Sequence, residues 1–139
     1  MVVNAPDKCV IVVDGDLPVG LALNTAAILS LTIGRHVDGV LGDDVKDADG
    51  FLHRGITGIP VPILRGDTAS LASLMVRAAA VPEVFVVDFT RTAQTSRTYD
   101  EYISRMSEIG TGDLPYAGVG LAGPKKPVDK LVGNFSLYR

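Results

Sequence analysis

Apolar residues along this chain fall into short continuous runs and longer spaced ones. Cys9–Val13 and Val84–Val87 are unbroken, β-branched runs, the pattern of strands buried on both faces. Tyr116–Ala122 and Phe135–Tyr138 read as two more strands. Val61–Arg65 is another, and Pro60 and Pro62 move it toward a sheet edge because proline cannot donate to a ladder. The longer runs have helical spacing. One is expected from Pro18 to Gly34, with proline in the first turn and glycine at the end. A second follows Gly66-Asp67-Thr68 through Ala80, with Leu71, Leu74, Met75 and Ala78 on one face. Thr98 and Glu101 have capping-box spacing and predict a helix over 99–109. Lys125–Leu131 is a turn or short helix. Strands alternate with helices, which gives the α/β class in one domain spanning 1–139.

The stretch between Leu17 and Gly34 holds no Asp, Glu, Lys or Arg. Such a helix is expected in the middle of the fold. It is interrupted by Pro18, Gly20, Asn24, Thr25, Ser30 and Thr32, so it reads as a core helix rather than a membrane span. Residues 38–60 contrast with it. They are rich in Asp and Gly and predict a solvated loop with one short edge strand at Phe51–Ile56.

Composition narrows the partners. Net charge is −3, which argues against sequence-independent binding to duplex nucleic acid. Cys9 is the only cysteine, so no internal disulfide forms, in keeping with a reducing, cytoplasmic setting. The opening MVVNAPDK lacks a basic start and an apolar run, so no secretory leader is expected. No dinucleotide fingerprint, P-loop or G-x-S-x-G elbow occurs, and His36 and His53 have no metal-ligand spacing, so neither cofactor nor metal is implied. Residues 45–50 fail as a calcium loop, because Val45 and Ile56 fall where ligands are needed.

In open α/β sheets ligands bind beyond the carboxyl ends of the strands. That places the candidate site at Asp14–Asp16 and Asp88–Gln94. Clustered Asp14, Asp16 and Asp88 suit a divalent metal or acid–base work; the favoured reading of Asp14 and Asp16 is a turn in which carboxylates accept nearby N–H groups. Asp88 directly follows an apolar strand, where either a site or a structural carboxylate fits. Arg91, Thr92 and Arg97 belong to a hydroxyl- and guanidinium-rich loop before a helix, suited to an anion or simply to solvent.

Three stretches together resemble the peptidyl-tRNA hydrolase II superfamily. They are Cys9–Val13 with Asp16-Leu17, Gly20 and Ala26-Ala27; Val86-Val87-Asp88 with Arg91-Thr92; and Tyr116–Tyr138 with its Gly123-Pro124 and Val128-Asp129. The resemblance implies a three-layer α/β/α fold with a mixed, mostly parallel sheet, and a homodimer. It carries Asp88 and Thr92 over as catalytic residues. The superfamily's lysine at the start of the first helix is replaced by Leu21 and Leu23, and its glutamine and histidine fall on Ala27 and Ser30. Residues 38–60 are longer than in the hydrolase, and the helix over 99–109 reads as an insertion. The pattern is similar to an uncharacterised bacterial branch. The preferred reading is therefore a module that holds a small anionic ligand through Asp14, Asp16, Gly20, Arg91 and Arg97. Peptidyl-tRNA hydrolysis is one alternative, with tRNA disfavoured by the acidic charge. Another is a different hydrolase or transferase using Asp88 with Thr92 or Tyr99.

Overall fold

The structure is a computed structural model and describes residues 6–139. Its elements are β1 (Lys8–Asp14), α1 (Val19–His36), β2 (Val45–Lys46), β3 (Leu52–His53), β4 (Ile63–Gly66), α2 (Thr68–Ala79), β5 (Phe85–Thr90), α3 (Arg91–Gln94), α4 (Tyr99–Met106), β6 (Tyr116–Gly123), α5 (Lys125–Val132) and β7 (Ser136–Leu137). Five strands form one sheet in the order β5-β6-β1-β4-β7. Two faces of that sheet are covered. Ala22, Leu29 and Ile33 of α1 pack with Cys9, Ile11 and Val13 on one side. Leu71, Leu74 and Ala78 of α2 and Val128, Leu131 and Val132 of α5 pack with Val10, Val12, Val119 and Leu121 on the other. Alternate β1 residues thus feed opposite layers, which explains its unbroken apolar run.

The sheet is mixed, as expected, but mostly antiparallel rather than mostly parallel. Only β1 and β4 pair in parallel; β1 with β6, β5 with β6 and β4 with β7 are antiparallel. The reason is β6, which lies between β1 and β5 and opposes both. Helices α3 and α4 precede β6 without forming a parallel crossover. This order also moves β5 to an edge, although its run had the look of a central strand, and moves β4 inward. The two prolines leave β4 intact because they precede its paired residues, and the Pro62 carbonyl accepts the Ile11 N–H at 3.1 Å.

Helix α1 is not sunk in the core. It buries only Ala22, Thr25, Leu29 and Ile33, while Leu23 is 66% and Leu31 72% exposed. It also continues two residues past Gly34 to His36. Close approach to the sheet is set by β6: a Cβ on Gly118 would stand 2.6 Å from Thr25 Cγ2. Residues 38–60 are an ordered arm rather than a loose loop, and the expected edge strand there is a ladder between β2 and β3. Among the described residues, no helix is long and apolar enough to cross a membrane.

Candidate functional site

The carboxyl ends of β1 and β5 finish level on the same side of the sheet. Both strands oppose β6, and Val13 and Phe89 both face Gly118. Asp14 and Asp88 therefore lie at the same end of the sheet, on either side of β6. The surfaces they serve differ.

Asp14 closes its own turn, since its Oδ1 accepts the Asp16 N–H at 3.0 Å. Asp16 is exposed and faces a groove beyond β4. Gly20 lies exposed in the first turn of α1, with open space where a side chain would be.

The β5 side is built differently. Thr90 caps α3, its Oγ1 accepting the Ala93 N–H at 3.1 Å. Thr98 caps α4 by accepting the Glu101 N–H at 3.1 Å, whereas Glu101 accepts the Arg97 N–H rather than completing a box. Arg105 on α4 reaches back and donates to the Thr92 carbonyl at 3.1 Å and to Ser96 Oγ at 3.0 Å. Gln94 on α3 donates to the Leu21 carbonyl and Asn24 Oδ1, both at 3.1 Å, and accepts from the Arg91 guanidinium. These bonds fix α3 and α4 beside the open edge of β5 and tie them to α1.

Between α1, β5 and α4 lies a cleft of about 530 Å³, within the range of small-ligand sites. Ile28, Val87 and Phe89 give it an apolar side; Tyr99 and Tyr102 give it aromatic walls; Asp88 and Arg97 bring the charge. Asp88 is half-buried, and burial pushes its carboxyl up, with its own backbone N–H opposing that shift. Among the described residues no Lys, Arg or His forms an ion pair with it. Its charge is felt by its neighbours: burial first and Asp88 second push the Tyr102 and Tyr116 phenols up. An unpaired carboxyl in a partly apolar hollow suits proton transfer or hydrogen bonding to a ligand.

The structure thus brings Asp88 and Arg97 together on one cleft. Thr92 is only 3% exposed and lies off the cleft surface, and Arg91 is turned to Gln94. Tyr102 and Ile28 escaped the sequence reading. Tyr102 follows Tyr99 by three positions, so a helical wheel of 99–106 would have paired them. Ile28 gave no such signal, because α1 was expected to be buried all round. No group of three or more His, Cys, Asp or Glu gathers for a metal among the described residues, and Cys9 is buried in the core.

Comparison with known proteins agrees with the architecture without supplying a chemistry. The family model described as a protein of unknown function, DUF2000, matches residues 7–139. A solved structure of a protein of unknown function from Agrobacterium tumefaciens strain C58 superposes with a TM-score of 0.86 at 18% identity, covering 95% of this chain and 97% of that one. At that identity the likeness concerns the fold alone. No curated protein matches. Neither match names a peptidyl-tRNA hydrolase. The chain belongs to the DUF2000 family.

Proposed function

We propose that this DUF2000 domain binds a small anionic molecule in the cleft between α1, β5 and α4. Arg97 holds the anionic group and Asp88 bonds or exchanges a proton with the rest. One observation carries this reading: Asp88 is a half-buried carboxyl without a cationic partner among the described residues, opening on an aromatic-walled hollow. An unpaired buried charge costs stability, so a fold that keeps one has a use for it. Peptidyl-tRNA hydrolysis fits less well. Where the hydrolase pattern has its lysine, Leu21 and Leu23 stand, and a preorganised cation is worth roughly 10²–10³ in rate. Thr92 is buried and does not line the cleft.

The test is a thermal-shift screen over nucleotides, amino acids and acyl compounds, repeated with Arg97→Ala and Asp88→Asn. A ligand of the native state must raise the melting temperature. A shift that both substitutions abolish supports the reading. No shift in any class, or one indifferent to both substitutions, overturns it. Turnover of peptidyl-tRNA that falls to background in Asp88→Asn would install the hydrolase instead.

A second reading concerns partners, and the arm favours it. Leu41, Val45, Phe51, Leu52 and Ile56 are all exposed there, and the outer face of α1 adds Val19, Leu23 and Leu31. These are eight exposed large apolar side chains, and a standard interface covers ~800 Å² per partner. The face between Leu17 and Gly34 carries no charge to repel its own copy. A second copy of the chain is the occupant that uses both patches, as a two-fold pair. Sedimentation of the wild type as a monomer at tens of micromolar would end this reading; a dimer that Phe51→Asp with Ile56→Asp splits would support it.

A further inference from the structure

A second groove, of about 840 Å³, opens on the opposite half of the sheet from Asp88, between the end of β4, the outer face of α2 and the turn before β7. Arg65 and Arg77 both line it. Neither forms an ion pair among the described residues, although carboxylates pair with Arg54 and Arg105 elsewhere in the chain.

Each guanidinium is positioned, yet most of its donors are unused. Arg65 Nη2 donates to the Gly15 carbonyl at a long 3.4 Å, and its guanidinium carbon stands 5.9 Å from the Tyr138 ring centre. The guanidinium lies close over Gly15, where a Cβ would fall 2.6 Å from Arg65 Nε and Nη2 and push the arginine aside. Arg77 donates to Ser73 Oγ at 3.4 Å and to the Leu131 carbonyl at 3.3 Å. A guanidinium has five N–H donors in a planar fork that fits carboxylate or phosphate oxygens.

Two carboxylates also border the groove, and they differ. Asp67 is spent: its Oδ1 accepts the Ser70 N–H at 2.7 Å, and these bonds hold its carboxyl below the usual range. Asp16 is exposed at the rim and forms no ion pair among the described residues. The groove is also long. Ser70, Ser73 and Arg77 share one face of α2, which rises about 10 Å over those seven residues. Arg65 enters over the β1–α1 turn, and Arg77 is anchored against the end of α5.

We infer that this groove binds an elongated molecule with an anionic oxo group at each end, one taken by Arg65 and the other by Arg77. Ser73 and Asn134 serve its middle, and Asp16 selects against a third negative charge. The groove is separate from the Asp88 cleft and does not rest on the reading given for it.

The experiment is titration of the whole chain by heteronuclear NMR with adipate, fructose 1,6-bisphosphate and, as one-ended controls, acetate and inorganic phosphate. Expected are saturable shifts at Gly15, Gly66 and Ser73 with a two-ended probe, at least tenfold tighter than with its one-ended control. Arg65→Ala and Arg77→Ala should each weaken that binding tenfold or more. Both side chains are exposed, so the variants keep the wild-type spectrum elsewhere. Arg97→Ala and Asp88→Asn should leave it unchanged, which separates this site from the other. The better two-ended probe tells phosphate from carboxylate. No saturable shifts with either two-ended probe, equal affinity for one-ended controls, or indifference to both arginine substitutions would overturn the proposal.

Discussion

The central strands and the arm are two solutions to holding backbone in place. All eight residues of β6 are buried, as are Cys9–Val13 of β1. From Leu41 to Arg54 every residue is exposed. The sheet is held by apolar layers on both faces. The arm is anchored in the apolar core only at its base, by Val40 and Ile59, and beyond that is held by polar bonds: Gly42 N–H to the Ile56 carbonyl at 2.7 Å, Asp44 to Arg54 at 3.1 Å, and Asp47 accepting from the Asp49 and Phe51 N–H groups at 3.0 Å each. An isolated two-stranded hairpin is marginal in water. Side-chain hydrogen bonds can thus shape a segment whose apolar residues, from Leu41 to Leu52, all face outward.

The largest effect should come from removing a layer. Leu121→Ala, in the centre of β6, should cost about 2–5 kcal/mol, read as a lower urea midpoint at unchanged slope. Overfilling the same interface should cost less. Gly118→Ala sets a methyl 2.6 Å from Thr25 Cγ2 and 3.0 Å from the Val12 carbonyl, for a loss of about 1–3 kcal/mol. Combining it with Thr25→Ala should recover part of that loss, and the double-mutant cycle checks it.

Asp88 is a charge set against this buried sheet, so replacing it should stabilise. Its folded pKa is raised, which means the ionised form is disfavoured in the native state. The wild type should lose stability as pH rises from the unfolded value, about 3.9, through the folded one. Asp88→Asn should therefore raise the neutral-pH melting temperature, with no gain in acid. A calorimetric pH series decides it, and a lower melting temperature at neutral pH would contradict the assignment.

Changes in the arm should leave the sheet untouched. In Gly55→Ala the new methyl would sit 2.0 Å from the Gly42 carbonyl oxygen, a backbone contact that must open. Hydrogen-exchange protection should disappear at Gly42 and Gly58, while global stability stays within about 0.5 kcal/mol. The smallest effect is electrostatic. Asp47 is held low by its bond from His53 first and the Phe51 N–H next. A depressed carboxyl supports structure above its unfolded pKa and loses that support as pH falls through the folded value. Arm protection should fade in acid below about pH 4 before the sheet changes, and Asp47→Asn should show the fade at every pH.

Much of the local structure was legible. Asp67 before an apolar 3.6-residue pattern announced α2, and its carboxylate does cap Ser70. Asp88 stood out because a carboxylate directly after Val86-Val87 is hard to bury cheaply. Arg97 stood out in a loop of hydroxyls and guanidiniums. Less legible was the company these residues keep. Tyr102 and Asp88 line one cleft only because α4 is laid beside the edge of β5, and Arg65 and Arg77 line one groove only because β4 sits inside the sheet.

By itself the sequence determined most of the elements, though not α3 in what read as a loop at 91–94 nor β2, together with the two-sided burial of β1 and the caps that start α2 and α4. Those depend on neighbours within about a turn or a strand of one another, so their signal is local. Only the tertiary structure decided the strand order, the direction of β6 and the one-sided exposure of α1. Strand direction is chosen by which pairing buries both layers at once, and a lack of charge on a helix is compatible with a core or with an open apolar face. The uncharged run from Leu17 to Gly34 turned out to supply both: one stripe for the sheet, and another left facing outward.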